Sequence, residues 1–162
     1  MRTILDDATT WFVESSCQFA DGSLVIRLAE GIKGKDRLPV QVGEQILGPY
    51  FPVTIESVSR VVEVRFANAL AFFSLNESYD MPDPTLQVDD RSNLRAVTDS
   101  RFRQYLAANT SSFELGPQPL TEWLLWTENQ LFQVLCSGEP KVIQLNETAD
   151  LSIHRCPTWH AN

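Results

Sequence analysis

Apolar and polar residues alternate with a period of two over much of this chain, which predicts β-strands. From Val61 to Phe66 apolar side chains alternate with charged ones, as in a strand with one buried face. Ala67 to Ala69 interrupt the pattern, and Asn68 tolerates the left-handed backbone that a tight turn can need. The next run, Leu70 to Leu75, is apolar on both faces, which predicts a central strand covered on both sides. These runs predict a central hairpin within Val53 to Tyr79.

Two further hairpins are predicted, one on each side of the central one. Thr10 to Phe19 and Ser23 to Leu28 carry aromatic and β-branched residues, and Asp21-Gly22 between them is a strong hairpin-turn signal. Leu120 to Cys136 fits one face of a helix, but it also fits two strands around Glu128 to Gln130. The aromatic and valine content of this segment favours the hairpin.

A single short helix is predicted over about residues 99–109. Asp99 or Ser100 can cap its N-terminus, and Phe102 and Leu106 lie on one face at helical spacing. Because a helix of about three turns is unstable alone, it must pack on the sheet. The predicted fold class is therefore α+β, with a mostly antiparallel β-sheet and this one helix packed on it.

The length of 162 residues and the 43% hydrophobic content predict one domain over residues 1–162 with a substantial core. Residues 150–162 are predicted to be a loosely attached tail. Glycines and prolines from Gly43 to Pro52 predict an irregular passage, and a last strand is expected from Val142 to Leu145. Trp11 and at least one of Trp123 and Trp126 are expected in the core.

Charge narrows the classes of partner. The chain has 13 basic and 21 acidic residues and a net charge of −8. Such a surface repels nucleic acid and anionic membranes and attracts basic proteins, so neither nucleic acid nor membrane is an expected partner. Three scattered cysteines indicate reduced thiols, and the first residues lack the apolar core of a signal peptide. A cytoplasmic location is therefore expected.

The most acidic stretch runs from Glu77 to Asp90 and contains five acidic and no basic residues. Pro82 and Pro84 exclude a helix and disfavour a central strand, so this segment is predicted to be a loop. It is interpreted as a docking surface for a basic partner, with the candidate binding residues Glu77, Tyr79, Asp80, Asp83, Asp89 and Asp90. Two alternatives are a solvated loop without function and internal pairing with the nearby arginines Arg91, Arg95, Arg101 and Arg103.

The rest of the chain contains only weak signals for phosphate-binding, metal-binding or catalytic sites. Gly31 to Arg37 holds a GxxG with basic residues, but a phosphate-binding loop needs a longer spacing and a Ser or Thr after the lysine. His154, Cys156 and His160 offer three ligands, whereas a structural zinc site takes four. No catalytic residue, metal site or cofactor is therefore predicted.

The order of short segments resembles a group of small bacterial proteins, some of which are similar to immunity proteins of contact-dependent inhibition and other polymorphic toxin systems. The resemblance covers roughly residues 53–145. It is carried by Ser59 to Phe66, Phe72 to Tyr79, Ser100 to Leu106, and Trp126 to Leu135 followed by Glu139-Pro140.

This resemblance implies a protein without catalytic residues that neutralises a cognate toxin domain by binding it. Many toxin domains are nucleases that are basic where they hold phosphates, so an acidic inhibitor can imitate nucleic acid. Two alternatives stay open: a housekeeping adaptor or regulatory module, and a small enzyme. An enzyme would need an apolar pocket lined by a histidine or cysteine with a perturbed pKa.

Overall fold

The computed structural model describes residues 2–88 and 92–151. Short 3-10 helices occur at Ile4–Asp7 and Glu77–Tyr79. The remaining elements, in chain order, are β1 (Trp11–Gln18), β2 (Leu24–Glu30), β3 (Ile32–Lys33), β4 (Leu38–Val42), β5 (Gln45–Tyr50), β6 (Val53–Thr54), β7 (Val61–Phe66), β8 (Ala69–Asn76), β9 (Gln87–Val88), β10 (Leu94–Asp99), α1 (Arg101–Asn109), α2 (Ser112–Leu115), β11 (Leu120–Trp126), β12 (Gln130–Ser137) and β13 (Lys141–Leu145).

Two antiparallel sheets face each other. The first has the strand order β1-β2-β7-β13 and the second has the order β8-β12-β11-β10-β9. One apolar core lies between them and takes residues from both sheets, among them Trp11, Ile26, Phe66, Trp123 and Phe132. The predicted α+β class with a mostly antiparallel sheet is confirmed, and α1 packs on the second sheet through buried Leu106. Within the described residues, no helix is long and apolar enough to cross a membrane.

The predicted central hairpin is wrong. Both strands and the turn exist, but β7 pairs with β2 and β13, whereas β8 pairs with β12. The turn at Ala67-Asn68 therefore carries the chain from one sheet to the other, with Asn68 at a φ of 47°. Phe66 and Ala69 on either side of the turn are both buried in the shared core. Alternation identified each buried face, but it could not identify the neighbouring strand.

The prediction that Leu70 to Leu75 is a central strand is also wrong. In the structure β8 is an edge strand with β12 as its neighbour. Phe72 and Phe73 are 38% and 40% exposed. Phe72, Phe73 and Leu75 of this strand line a groove on the protein surface, which accounts for its second apolar face.

Most other predicted elements are confirmed. β1 and β2 form the expected hairpin, in which Phe19 N–H donates to Ser23 O at 2.8 Å. Leu120 to Cys136 is a hairpin of β11 and β12, and β13 is the expected last strand. Ser100 caps α1, and Trp11 and Trp123 are buried.

The prediction of an irregular passage between Gly43 and Pro52 is wrong, because β4 and β5 form a hairpin there. A hairpin of two strands has two free edges, which is where prolines are tolerated.

At the C-terminal end, Ala149 is buried and Asp150 N–H donates to Glu14 at 2.7 Å, so the predicted tail is fastened at its start. His154, Cys156 and His160, which are three possible metal ligands but are not predicted to form a site, lie outside the described residues.

Candidate partner-binding groove

The two faces of the second sheet differ in what covers them. Its inner face belongs to the core, whereas its outer face carries two smaller apolar clusters. One lies under α1, where Leu106 packs with Leu120 and Leu135. The other lies under the segment that follows β8 and consists of Leu75, Leu86, Val88, Val97, Leu124 and Leu131. A groove remains between these two covers.

This groove has a volume of about 490 Å³ and a mostly apolar wall. Five aromatic side chains line it: Phe72, Phe73, Tyr79, Phe102 and Tyr105. The rings of Phe73 and Phe102 pack with centroids 6.4 Å apart. Leu75 and Met81 complete the apolar lining, and Asp80, Asp83, Arg101 and Gln133 supply its polar groups.

The segment from Asn76 to Asp80 is an ordered turn. Asn76 Oδ1 accepts a hydrogen bond from Ser78 N–H at 3.0 Å, which starts the 3-10 helix. Asp80 N–H donates to Glu77 O at 3.0 Å and closes it. This turn leaves Tyr79 76% exposed at the mouth of the groove. Local capping therefore presents a large aromatic side chain to solvent.

Asp83 ties this segment to α1. Its Oδ2 accepts from Arg101 N–H at 2.7 Å, and its Oδ1 accepts from Thr85 N–H at 2.9 Å and from Thr85 Oγ1 at 2.8 Å. Desolvation opposes ionisation, but the hydrogen bonds from Arg101 and Thr85 outweigh it and hold the pKa of Asp83 below its usual value. This carboxylate is thus engaged inside the protein.

The predicted alternative of internal pairing applies to Asp83 and Arg101, whose Nε lies 3.7 Å from Asp83 Oδ1. The other described arginines of that cluster contact different groups. Arg103 lies over the ring of Phe113 at 4.8 Å, and Arg95 donates to Ser92 O. Arg91 lies outside the described residues.

The six predicted binding residues therefore do not form one surface within the described structure. Tyr79, Asp80 and Asp83 line the groove. Glu77 is half-buried and does not line it, and its N–H donates to Asn129 O at 3.3 Å. Asp89 and Asp90 lie outside the described residues. Asp80 is half-exposed, and within the described residues its carboxylate forms no hydrogen bond or ion pair.

Sequence reasoning missed a buried acid behind the groove. Glu122 belongs to a second acidic tract, which the sequence alone places at the surface, but it is 0% exposed. Ser100 Oγ lies 2.8 and 2.9 Å from its two carboxyl oxygens, and Gln133 Nε2 donates to Oε1 at 3.2 Å. Burial raises the pKa of Glu122 from 4.5 to about 7, against the opposing effect of the Ser100 hydrogen bond. The missed signal was its parity with the outward-facing Leu120 and Leu124 in a strand that is apolar on both faces.

The described lining of the groove offers aromatic rings and a few polar groups that could contact a partner. Its lining residues include no histidine, cysteine, serine or lysine. The Glu122 carboxyl is enclosed, so it cannot reach a molecule in the groove. Cys17 is an exposed free thiol and Cys136 a buried one, and burial raises the pKa of Cys136 to about 11. Residues 2–88 and 92–151 contain no group of three or more acidic, histidine or cysteine side chains that could hold a metal ion.

Comparison with known proteins adds no family to this picture. No protein-family model, curated protein or solved structure matches the chain. The resemblance to immunity proteins therefore stays a prediction.

Proposed function

We propose that this protein is an immunity protein that binds a toxin domain and neutralises it through the groove and its acidic rim. The observation that carries the proposal is a row of exposed aromatic side chains beside an unpaired carboxylate. Tyr79 and Tyr105 are 76% and 61% exposed, and Asp80 lies with them in the lining. Tyrosines in such positions are common anchors of protein interfaces.

The lining favours a particular kind of side chain from the partner. An arginine or lysine can lay its aliphatic stem on aromatic rings and direct its charge to a carboxylate. Phe102 and Tyr105 offer the rings, and Asp80 offers the carboxylate. Asp83 is a weaker candidate for this contact because it already accepts from Arg101 and Thr85. The groove therefore suits a basic residue that projects from the partner.

Long-range charge supports the same class of partner. A net charge of −8 attracts a basic protein and raises the rate of association. A nuclease is basic where it holds the phosphates of its substrate, so an acidic protein bound there would block substrate entry. A total buried interface of about 1,600 Å² is sufficient for a stable complex. The groove would form its centre, and Asp80 and Asp83 would form the acidic part of its rim.

The first experiment is co-expression with the product of the adjacent upstream gene. The proposal expects relief of toxicity and a complex that co-purifies at low salt and weakens at high salt. A complex without relief of toxicity would assign the groove to an adaptor role instead. If neither a complex nor relief is obtained, the immunity proposal is wrong.

Variants then locate the binding surface. We expect Asp80→Lys to slow association about tenfold at low salt, because it removes attraction at the groove and adds repulsion. Glu139→Lys is the matched control, since Glu139 is exposed, does not line the groove and undergoes the same charge change. Tyr79→Ala should chiefly speed dissociation. Equal effects of Asp80→Lys and Glu139→Lys would show that the groove is not the contact site.

A further inference from the structure

A separate feature of the molecule is an arm formed by residues 32–54. Ile32 pairs with Thr54 and Lys33 with Val53, and β4 and β5 continue this ribbon as a hairpin of their own. Gly43 has a φ of 59° at the hairpin turn, where an added Cβ would meet no atom within 4 Å. Every residue from Lys35 to Tyr50 is exposed. The arm therefore projects into solvent from the sandwich that the two facing sheets form.

The register of this hairpin gives it one strongly apolar face. Leu38 pairs with Tyr50 and Val40 with Leu47, and residues paired across two strands lie on the same face. Val42 follows in alternation, so five large apolar side chains form one stripe. Their exposed fractions range from 41% for Leu47 to 57% for Tyr50.

None of residues 2–88 and 92–151 covers this stripe, and an exposed apolar stripe of this kind is unusual in a monomer. A two-stranded hairpin alone is at best marginally stable in water, and contiguous exposed apolar surface commonly marks an interface. The toxin-binding groove lies on the second sheet, whereas the arm extends from β2 and β7 of the first sheet. The arm is therefore a second surface that the proposed function does not use.

The charges of the arm indicate which molecule covers this stripe. Between Arg37 and Glu56 the only charged residue is Glu44, which lies at the hairpin tip. The base carries Lys33, Lys35 and Arg37 together with a single acid, Asp36. Lys33 and Arg37 lie over the ring of Phe51, at 4.3 and 4.9 Å from its centroid. The arm thus has a positive base and a negative tip.

We propose that two copies of this chain associate through these arms, apolar face to apolar face and in opposite directions. A two-fold arrangement sets the tip of each hairpin against the base of the other, so Glu44 of each copy meets the basic residues of its partner. A parallel arrangement would instead oppose the two Glu44 carboxylates. A basic toxin is a poorer occupant, because the base of the arm is itself basic.

The expected association is weak. The stripe spans about five residues per strand, or about 17 Å, which is short for a stable interface. The net charge of −8 on each copy also opposes close approach except at the arms. We therefore expect a dissociation constant in the micromolar range.

Sedimentation velocity of the full chain over about 5 to 500 µM tests this proposal. The wild type should shift from monomer to dimer within that range. Val40→Asp should abolish the shift, whereas Gln41→Asp, which adds the same charge on the opposite face, should leave it largely intact. A monomer at every concentration, or equal behaviour of the two variants, would overturn the proposal.

Charge reversal tests the orientation. Glu44→Lys should weaken dimerisation about tenfold, and the double variant Glu44→Lys with Arg37→Glu should restore it to within about threefold. Circular dichroism confirms that each variant keeps the fold of the sandwich. Failure of the double variant to recover refutes the antiparallel pairing. If Val40→Asp weakens toxin binding while the wild type remains monomeric, the stripe belongs to the toxin and the dimer is wrong.

Discussion

Ser100 joins the N-terminus of α1 to the buried acid Glu122. Its Oγ lies 2.8 and 2.9 Å from the two carboxyl oxygens and accepts from Arg103 N–H at 2.9 Å. Gln133, which lines the groove, donates to the same carboxyl. One hydrogen-bonded chain therefore connects the helix cap, the buried acid and the groove.

The first prediction concerns the pH dependence of stability. The pKa of Glu122 is raised from 4.5 to about 7 in the folded protein, so the folded state holds an additional proton between these values. The resulting stability is complete below about pH 4.5 and is lost as the pH rises to about 7, by up to about 3 kcal/mol. Urea unfolding at pH 5.5 and 8 measures the part of this loss that lies above pH 5.5, about 2 kcal/mol.

Glu122→Gln should flatten this dependence and be more stable than the wild type at pH 8, because an amide carries no buried charge. Glu128→Gln is the matched control, since Glu128 is exposed in the neighbouring turn. A variant at Glu122 that keeps the full pH dependence would show that another group titrates in this window.

The second prediction compares two acids that contact the same arginine. Glu14 Oε2 and Glu147 Oε2 lie 2.7 and 2.6 Å from Arg27, but their side chains are 1% and 59% exposed. Glu14→Ala should lower the free energy of unfolding by about 3 kcal/mol, because Arg27 Nε and the Asp150 N–H both lose a buried acceptor, although Glu147 still contacts Arg27. Glu147→Ala should cost less than about 1 kcal/mol.

Chemical denaturation of both variants checks this difference. Glu14 also accepts from Asp150 N–H, so its loss should increase hydrogen exchange near Ala149. Equal costs for the two variants would contradict the assignment of Glu14 as the buried partner.

The third prediction concerns a contact between the two sheets. Asn129, in the turn between β11 and β12, accepts from Val13 N–H at 2.8 Å and donates to Val13 O at 3.0 Å. The Asn129 side chain therefore pairs the backbone N–H and C=O of Val13, next to the register shift in β1 between Val13 and Ser15. Asn129→Ala should cost about 2 kcal/mol, since both backbone groups lose their partner.

Thermal unfolding measures this cost. Glu128→Ala in the same turn is the control, because the Glu128 backbone N–H keeps its bond to Trp11 O after the side chain is removed. A similar loss of stability in both variants would mean that the turn itself, and not the Asn129 amide, is responsible.

The fourth prediction separates a structural acid from a binding acid at the groove. Asp83→Asn should cost about 1 kcal/mol, because the lost charge faces the backbone N–H of Arg101 at the start of α1. Since the pKa of Asp83 is lowered on folding, this contribution is present near neutral pH and is lost on acidification. Asp80→Asn should leave stability unchanged and slow association with a basic partner. Urea unfolding together with association kinetics measures both, and the opposite pattern would refute the assignment.

Much of the local structure follows from the sequence alone. Asp21-Gly22 between two apolar runs determines a hairpin turn, and Ser100 before an amphipathic run determines the start of α1. These signals act between residues that are near in the chain, so they need no information about the rest of the fold. The buried position of Trp11 follows in a similar way. For Trp123 and Trp126 the sequence predicts only that at least one is buried, and the structure buries Trp123 and leaves Trp126 37% exposed.

Only the tertiary structure decided how strands beyond the predicted β1–β2 and β11–β12 hairpins pair, and which acids are exposed. Alternation in β7 and β8 is equally compatible with one hairpin or two sheets, and contacts with β2 and β12 made the choice. In the same way, Glu122 and Asp80 have the same charge in the sequence. One is enclosed beneath Ser100, and the other lies at the edge of the groove, because burial depends on what packs over a residue from distant parts of the chain.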